Sequence, residues 1–137
     1  MKLYALEPDS NVFENYVCSP GGPVIISRIG LQEAYATFYR KEAGGVLRAG
    51  SAARLYACLL QDVAEGEIRL VELGTDLEAE YARVLACCYG RTPPMLLRTL
   101  DAIHLASARL AGQSELVATD QRLRDAAKVF GLSLFPV

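Results

Sequence analysis

The sequence contains no tryptophan, a single histidine and four cysteines, and no two of the cysteines are spaced as C-x-x-C. A zinc site built from Cys and His is therefore not expected, and the cysteines are predicted to be reduced thiols, mostly buried. The first residues lack the run of roughly 7 to 15 apolar residues of a secretory signal, and no run approaches the ~18 residues that span a bilayer. These absences predict a cytoplasmic protein without a membrane segment.

The chain also lacks an excess of positive charge. Fourteen Lys and Arg residues against sixteen Asp and Glu give a formal net charge of −2, so the surface as a whole would not bind nucleic acid by counterion release. Eleven of the fourteen basic residues are Arg, and Arg binds phosphate through two parallel hydrogen bonds. The composition permits local contacts with RNA but excludes a generally basic binding surface.

The 137 residues, 52% of them hydrophobic, suffice for one domain, 1–137, with its own core. Short apolar or alternating runs predict four β-strands, at 24–27, 68–73, 116–119 and 132–135. Apolar residues at helical spacing predict helices between them, and a further short helix is expected to start near Asp9 or Ser10. Strands that alternate with helices predict an α/β fold with a mostly parallel sheet.

Local chemistry predicts where some helices begin and end. Thr75, followed three residues later by Glu78, is the pattern of a capping box at a helix start. Glycines at 44–45, Gly112 and Gly131 stand where the helical patterns stop, as expected for helix C-termini.

Three acidic residues fall where ligands bind in parallel sheets, beyond the carboxyl ends of the strands. Glu33 lies six residues after Ser27, within the helix that follows the first strand. Asp101 opens a helix, where the helix dipole favours negative charge, and Asp120 directly follows the third predicted strand. Such a group of hard oxygen ligands suits Mg²⁺ or Mn²⁺.

Each of these acids also has a simpler explanation. Glu33 on a helix flank can be a solvated charge, Asp120 can be a helix N-cap, and Asp101 can be a first-turn charge without further use. The three together indicate a site more strongly than any one of them.

The segments DAIHLA (101–106) and LVATDQRL (116–123), with Ser27 and Glu33 before them, resemble the PIN domains, notably the VapC-like ribonuclease toxins of bacterial toxin–antitoxin pairs. The resemblance covers nearly the whole chain, although between residues 45 and 90 only the order of elements matches. It implies a three-layer α/β/α fold and a metal-dependent endoribonuclease that binds Mg²⁺ or Mn²⁺. It also implies an RNA substrate, an antitoxin partner and a homodimer.

The resemblance places Glu33, Asp101 and Asp120 on three of the four acidic positions that bind metal and activate water in the family. The fourth, an Asp at the end of the family's first strand, has no counterpart in the sequence, and its loss would impair metal binding and cleavage. A late start codon, a truncated gene or a sheet that closes differently would each account for this. If the sheet closes differently, strand 24–27 is expected to pair with strand 116–119. If the start codon is late, an in-frame Leu-Asp-Thr or Leu-Asp-Ser directly upstream would restore the enzyme.

Other residues near these acids have supporting roles in this interpretation. The hydroxyls of Ser27 and Thr119 can orient a carboxylate, and His104, three residues after Asp101, is expected to pack beside the site or support it. Four arginines flank the acids and either guide a phosphate backbone or are solvated surface charges; they are Arg91, Arg98, Arg122 and Arg124.

Two further functions remain open from the sequence. A PIN fold that has lost catalysis would be a binding module for an antitoxin-like partner or for a second copy. A receiver-like signalling domain is the remote alternative, because the first-strand acids that such a domain needs are also absent.

Overall fold

The structure, a computed structural model, describes residues 23–136. These residues form five helices and four strands, whose order is compatible with the predicted α/β class. They are β1 (Val24–Ser27), α1 (Arg28–Ala43), α2 (Ser51–Ala64), β2 (Ile68–Val71), α3 (Thr75–Tyr89), α4 (Thr99–Leu110), β3 (Glu115–Val117), α5 (Gln121–Val129) and β4 (Ser133–Phe135). No helix in this range has both the length and the apolar character needed to cross a membrane. The helix predicted near Asp9 or Ser10 lies outside the described residues.

The strands form two small sheets, β1 with β2 and β3 with β4. Strands β3 and β4 are parallel, with Leu116 opposite Leu134. The predicted pairing of 24–27 with 116–119 is therefore wrong. Helix α5 connects β3 to β4, so these three elements form a β-α-β unit. At the start of β1, the Val24 N–H donates to the Glu67 carbonyl at 3.1 Å. The three-layer arrangement remains a prediction.

The chain divides into two compact units, so its description as one domain remains a prediction. Among the described residues, the first unit comprises 23–24 together with Gly30–Leu70, and the second comprises Ile25–Ile29 and 71–136. In the first unit, α1 and α2 supply the buried residues Leu31, Ala34, Phe38, Ala52 and Leu59. The positions 31, 34 and 38 lie on one helical face, as their spacing predicts.

The second unit has its own core. Helix α3 packs on α4, α4 packs on α5 and β3, and α5 packs on β4. Leu105 of α4 is fully buried, and Ala102 and Ala106 on the same helix are also buried. Because these alanines are small, the backbones of neighbouring helices can approach α4 closely. This packing fixes the start of α4, where Asp101 lies.

The glycine prediction is confirmed at the ends of α4 and α5. Gly112 and Gly131 have φ values of +70° and +76°, a left-handed conformation in which a side chain would be strained. The Gly112 N–H donates to the Arg109 carbonyl and the Gly131 N–H to the Lys128 carbonyl, each at 3.0 Å. These bonds satisfy carbonyls that the helix ends leave free.

The predicted capping box is wrong. Helix α3 already includes Thr75, and the N-cap is Gly74, which has no side chain to cap with. The Glu78 N–H donates to the Gly74 carbonyl at 2.9 Å. The helix thus starts one residue earlier than the pattern indicates, and Thr75 is no longer at the position from which its hydroxyl could accept the N3 amide.

Candidate active site

Asp101 and Asp120 each lie at the N-terminal end of a helix. Asp101 is in the first turn of α4 and is only 7% exposed. Asp120 directly precedes α5, and its Oδ1 accepts a hydrogen bond from the Leu123 N–H at 3.1 Å. Asp120 is therefore the N-cap of α5, and its second oxygen remains available for another contact.

One guanidinium joins the two carboxylates. The Arg98 Nε donates to Asp101 Oδ2 at 2.8 Å, and the Arg98 Nη2 lies 3.5 Å from Asp101 Oδ1 and 3.1 Å from Asp120 Oδ2. Two carboxylates more than about 10 Å apart cannot share one metal ion. Asp101 Oδ1 and Asp120 Oδ2 both lie close to Arg98 Nη2, so they are well within that distance of each other. The structure thus brings together two acids from the segments that resemble the PIN family.

The charges in this cluster do not cancel, since two carboxylates face one guanidinium. The hydrogen bond to Asp101 and the negative charges of Asp101 and Asp120 raise the pKa of Arg98. The Arg98 side chain is 59% exposed, whereas that of Asp101 is 9% exposed. The cation therefore lies on the solvent side of a more deeply buried acid.

Tyr89 fixes the backbone that precedes Arg98. Its hydroxyl donates to the Leu97 carbonyl at 3.0 Å and accepts from the Leu97 N–H at 3.2 Å. The Met95 N–H donates to the Cys88 carbonyl at 2.9 Å. Since Leu97 is the residue before Arg98, these bonds determine where the guanidinium can reach. Sequence reasoning did not assign this role to Tyr89, because no local pattern links it to Leu97.

Ser27 and His104 form a second contact. Ser27 ends β1 and is buried, and its hydroxyl lies 3.1 Å from His104 Nδ1. Which of the two atoms donates depends on the tautomer of the imidazole. His104 lies three residues after Asp101 on α4, so this contact joins the end of β1 to the helix that carries the acid, and the supporting role of both residues stays a prediction.

Thr119 and Glu33 are the remaining predicted residues of the site. Thr119 is exposed directly before Asp120, and within residues 23–136 its hydroxyl has no hydrogen bond to either acid. Glu33 is half-buried in α1, as predicted, and belongs to the first unit.

The remaining arginines differ in their surroundings. Arg91 and Arg122 are exposed, whereas the Arg124 Nη1 donates to the Ala118 carbonyl at 2.8 Å. Arg124 therefore supports the backbone before Asp120. Arg91 and Arg122 lie at the surface, where either predicted role, contact with a phosphate backbone or a solvated charge, stays open.

Glu80 is a buried acid that sequence reasoning missed. It accepts from the Arg109 Nε and from the Arg83 Nη1, both at 2.5 Å, and the Arg109 guanidinium lies 4.4 Å from the centre of the Phe130 ring. The hydrogen bond from Arg109 lowers the pKa of Glu80, opposed by burial and aided by Arg83. Its position within the apolar stripe of α3, with Arg83 three positions later on the same helix, is the only pattern that could have indicated a paired acid.

The chemistry of the Asp101–Asp120 pair fits a divalent metal ion. Carboxylate oxygens are the donors that Mg²⁺ and Mn²⁺ prefer, and the pair already binds one cationic group, that of Arg98. Within the part of the chain that the structure describes, no three His, Cys, Asp or Glu side chains are grouped so that they could hold a metal. The described acids therefore supply two ligands.

Replacing Asp120 separates its capping role from its charge. Asp120→Ala removes the oxygen that accepts from Leu123, and the free energy of unfolding is expected to fall by about 1 kcal/mol. Asp120→Asn keeps an oxygen at that place and is expected to cost clearly less. Urea unfolding of both variants measures the difference, and equal losses would contradict the capping role.

The chain is similar to a known protein over part of its length. It is 51% identical over 47 residues to a protein named Ribonuclease VapC46 from Mycobacterium tuberculosis, a match that covers 33% of this chain and 36% of that protein. The matched segment thus spans about a third of the length of this curated relative. No protein-family model matches the chain. The similarity supports, at the level of the family, a VapC-like PIN domain.

Proposed function

We propose that this chain is a PIN-type endoribonuclease of the VapC kind that depends on Mg²⁺ or Mn²⁺. The observation that carries the proposal is the meeting of Asp101 and Asp120 on the single guanidinium of Arg98. The partial identity with a protein named as a VapC ribonuclease supports the same conclusion from the sequence.

In this proposal the carboxylates of Asp101 and Asp120 hold the metal ion. When bound, a divalent ion lowers the pKa of a water molecule and neutralises charge on the scissile phosphate. Asp101 is oriented by its burial in α4, and Asp120 by its bond to the Leu123 N–H, so neither has to be ordered when the substrate arrives. The role of Glu33 as a further ligand stays a prediction, and a carboxylate of the Asp101–Asp120 pair is proposed to accept the proton from water.

The substrate class is single-stranded or structured RNA in the cytoplasm. Arg91 and Arg122, both exposed, are proposed to contact its phosphates. An antitoxin protein and a second copy of the chain are the proposed protein partners. Light scattering at micromolar concentration checks the homodimer, and a monomer would contradict that part of the proposal.

Incubation of the protein with a mixed pool of cellular RNA tests the activity. We expect cleavage in the presence of Mn²⁺ or Mg²⁺, loss of cleavage with a chelator, and recovery when the metal is restored. Cleavage that survives chelation would contradict the metal-dependent mechanism. Absence of cleavage under all conditions would favour the PIN-fold binding module instead.

A further inference from the structure

We propose that Arg98 is the resident counter-cation of the Asp101–Asp120 pair, and that a divalent metal ion must displace its guanidinium in order to bind. The inference rests on the proposed function, because it concerns the metal site of that function. The proposed function names the residues that bind the metal, and the inference names a residue that weakens this binding.

The contacts of Arg98 place it in competition with a metal. Its Nε and Nη2 are directed at carboxylate oxygens of both acids, at 2.8 Å and 3.1 Å. A metal ion that bridges the same oxygens would need this region, and its charge would repel a guanidinium held there. Arg98 and the metal therefore cannot occupy the pair in the same arrangement.

The guanidinium is free to leave. The Arg98 side chain is 59% exposed, so its charge can be hydrated outside the cluster without the cost of burial. The bonds that fix the neighbouring backbone go to Leu97 rather than to the Arg98 side chain. The side chain can thus change rotamer while the start of α4 stays in place.

The opposite effect, in which Arg98 assists metal binding by holding the acids together, is the weaker one in this geometry. Asp101 is buried in the first turn of α4, and Asp120 is held by the Leu123 N–H. Both acids are positioned by their own helices, so they do not depend on the guanidinium for their separation. Removing Arg98 should free their oxygens and leave them in place.

Metal binding by Arg98→Gln tests the proposal. Titration of the protein with Mn²⁺, followed by the loss of the electron paramagnetic resonance signal of free Mn²⁺, gives an affinity that does not depend on activity. We expect Arg98→Gln to bind Mn²⁺ about three- to tenfold more tightly than the unaltered chain, as follows from releasing two ion pairs whose shared arginine is exposed. Arg98→Lys keeps the charge without the planar fork and is expected to fall between the two.

Arg122→Gln is the matched control. Arg122 is exposed two residues after Asp120, so its loss removes the same charge from the neighbourhood without opening the pair. If the Mn²⁺ affinity of Arg122→Gln stays within about twofold of that of the unaltered chain, the effect of Arg98→Gln comes from the contacts of Arg98 and not from the loss of one positive charge in the region. Circular dichroism and thermal unfolding confirm that the variants remain folded.

The outcomes separate the inference from the proposed function. Equal or weaker Mn²⁺ binding by Arg98→Gln, with measurable binding by the unaltered chain, overturns the competition but leaves the metal site. If Arg122→Gln gains as much Mn²⁺ affinity as Arg98→Gln does, the competition is also overturned. Absence of Mn²⁺ binding by both the unaltered chain and Arg98→Gln overturns the metal site itself, and with it the proposed function.

Discussion

Asp101→Asn is expected to reduce metal-dependent RNA cleavage by about 100-fold or more. The substitution keeps the size of the side chain but removes one of the two carboxylate charges at the proposed site. Loss of groups that merely orient metal ligands typically costs 10- to 100-fold, so loss of a ligand should cost at least as much. Rates with saturating RNA at several Mn²⁺ concentrations measure the effect, since part of it should appear as weaker metal binding.

Asp76→Asn provides the control for this result. Asp76 is also an aspartate in the first turn of a helix, α3. It is exposed, and it lies more than 20 residues before Arg98 in the sequence. We expect its cleavage rate to stay close to that of the unaltered protein. If Asp101→Asn cleaves RNA as fast as Asp76→Asn does, the carboxylate mechanism is wrong.

Glu80→Gln is expected to lower the free energy of unfolding by about 2 kcal/mol at pH 7. The glutamine cannot carry the charge that accepts from Arg109 and Arg83, and charge-assisted hydrogen bonds contribute more than neutral ones. The contact with Arg83 adds little, because the Arg83 side chain is 67% exposed. Most of the loss is therefore assigned to Arg109, whose guanidinium packs against the Phe130 ring.

The ion pair of Glu80 with Arg109 also predicts that the free energy of unfolding depends on pH. The pKa of Glu80 is lowered from its ordinary value of 4.5 in the folded protein, so the unfolded state takes up a proton at a higher pH than the folded state does. The stabilisation is complete above about pH 5 and is lost as the pH falls through the lowered folded pKa. The difference between the unaltered protein and Glu80→Gln should therefore narrow below pH 4.5.

Urea unfolding from pH 7 downwards measures both effects. Glu78→Gln, which changes an exposed acid of the same helix, is expected to cost no more than about 0.5 kcal/mol. A difference for Glu80→Gln that stays constant to pH 3 would show that its cost comes from packing and not from charge.

The sequence predicted those parts of the fold that depend on short segments. The four strands and the helices between them follow from the spacing of apolar residues, and the ends of α4 and α5 follow from single glycines. The start of α3 was misplaced, because a capping box differs from a first-turn Thr only by a backbone shift of one residue. The partner of β1 was also missed, since strand pairing depends on how distant segments meet.

The candidate site divides in the same way. The places of Asp101 and Asp120 at helix starts were predictable because each follows from a local pattern, and their role as metal ligands stays a prediction. Arg98 was recognised only as a neighbouring positive charge, and Tyr89 was not recognised at all. Their roles arise from contacts between the end of α3, the segment after it and the start of α5. Such contacts have no period in the sequence.

The two oxygens of Asp120 perform different tasks, and this restricts which residue can occupy the position. Oδ1 caps α5, while Oδ2 faces Arg98. Asparagine could still cap the helix but would bring no charge, and serine would cap it with a single oxygen. Glutamate would keep the charge, yet its extra methylene displaces the carboxylate from the nearby amide. Among the common acids and helix caps, aspartate alone meets both demands, so position 120 tolerates fewer substitutions than position 98.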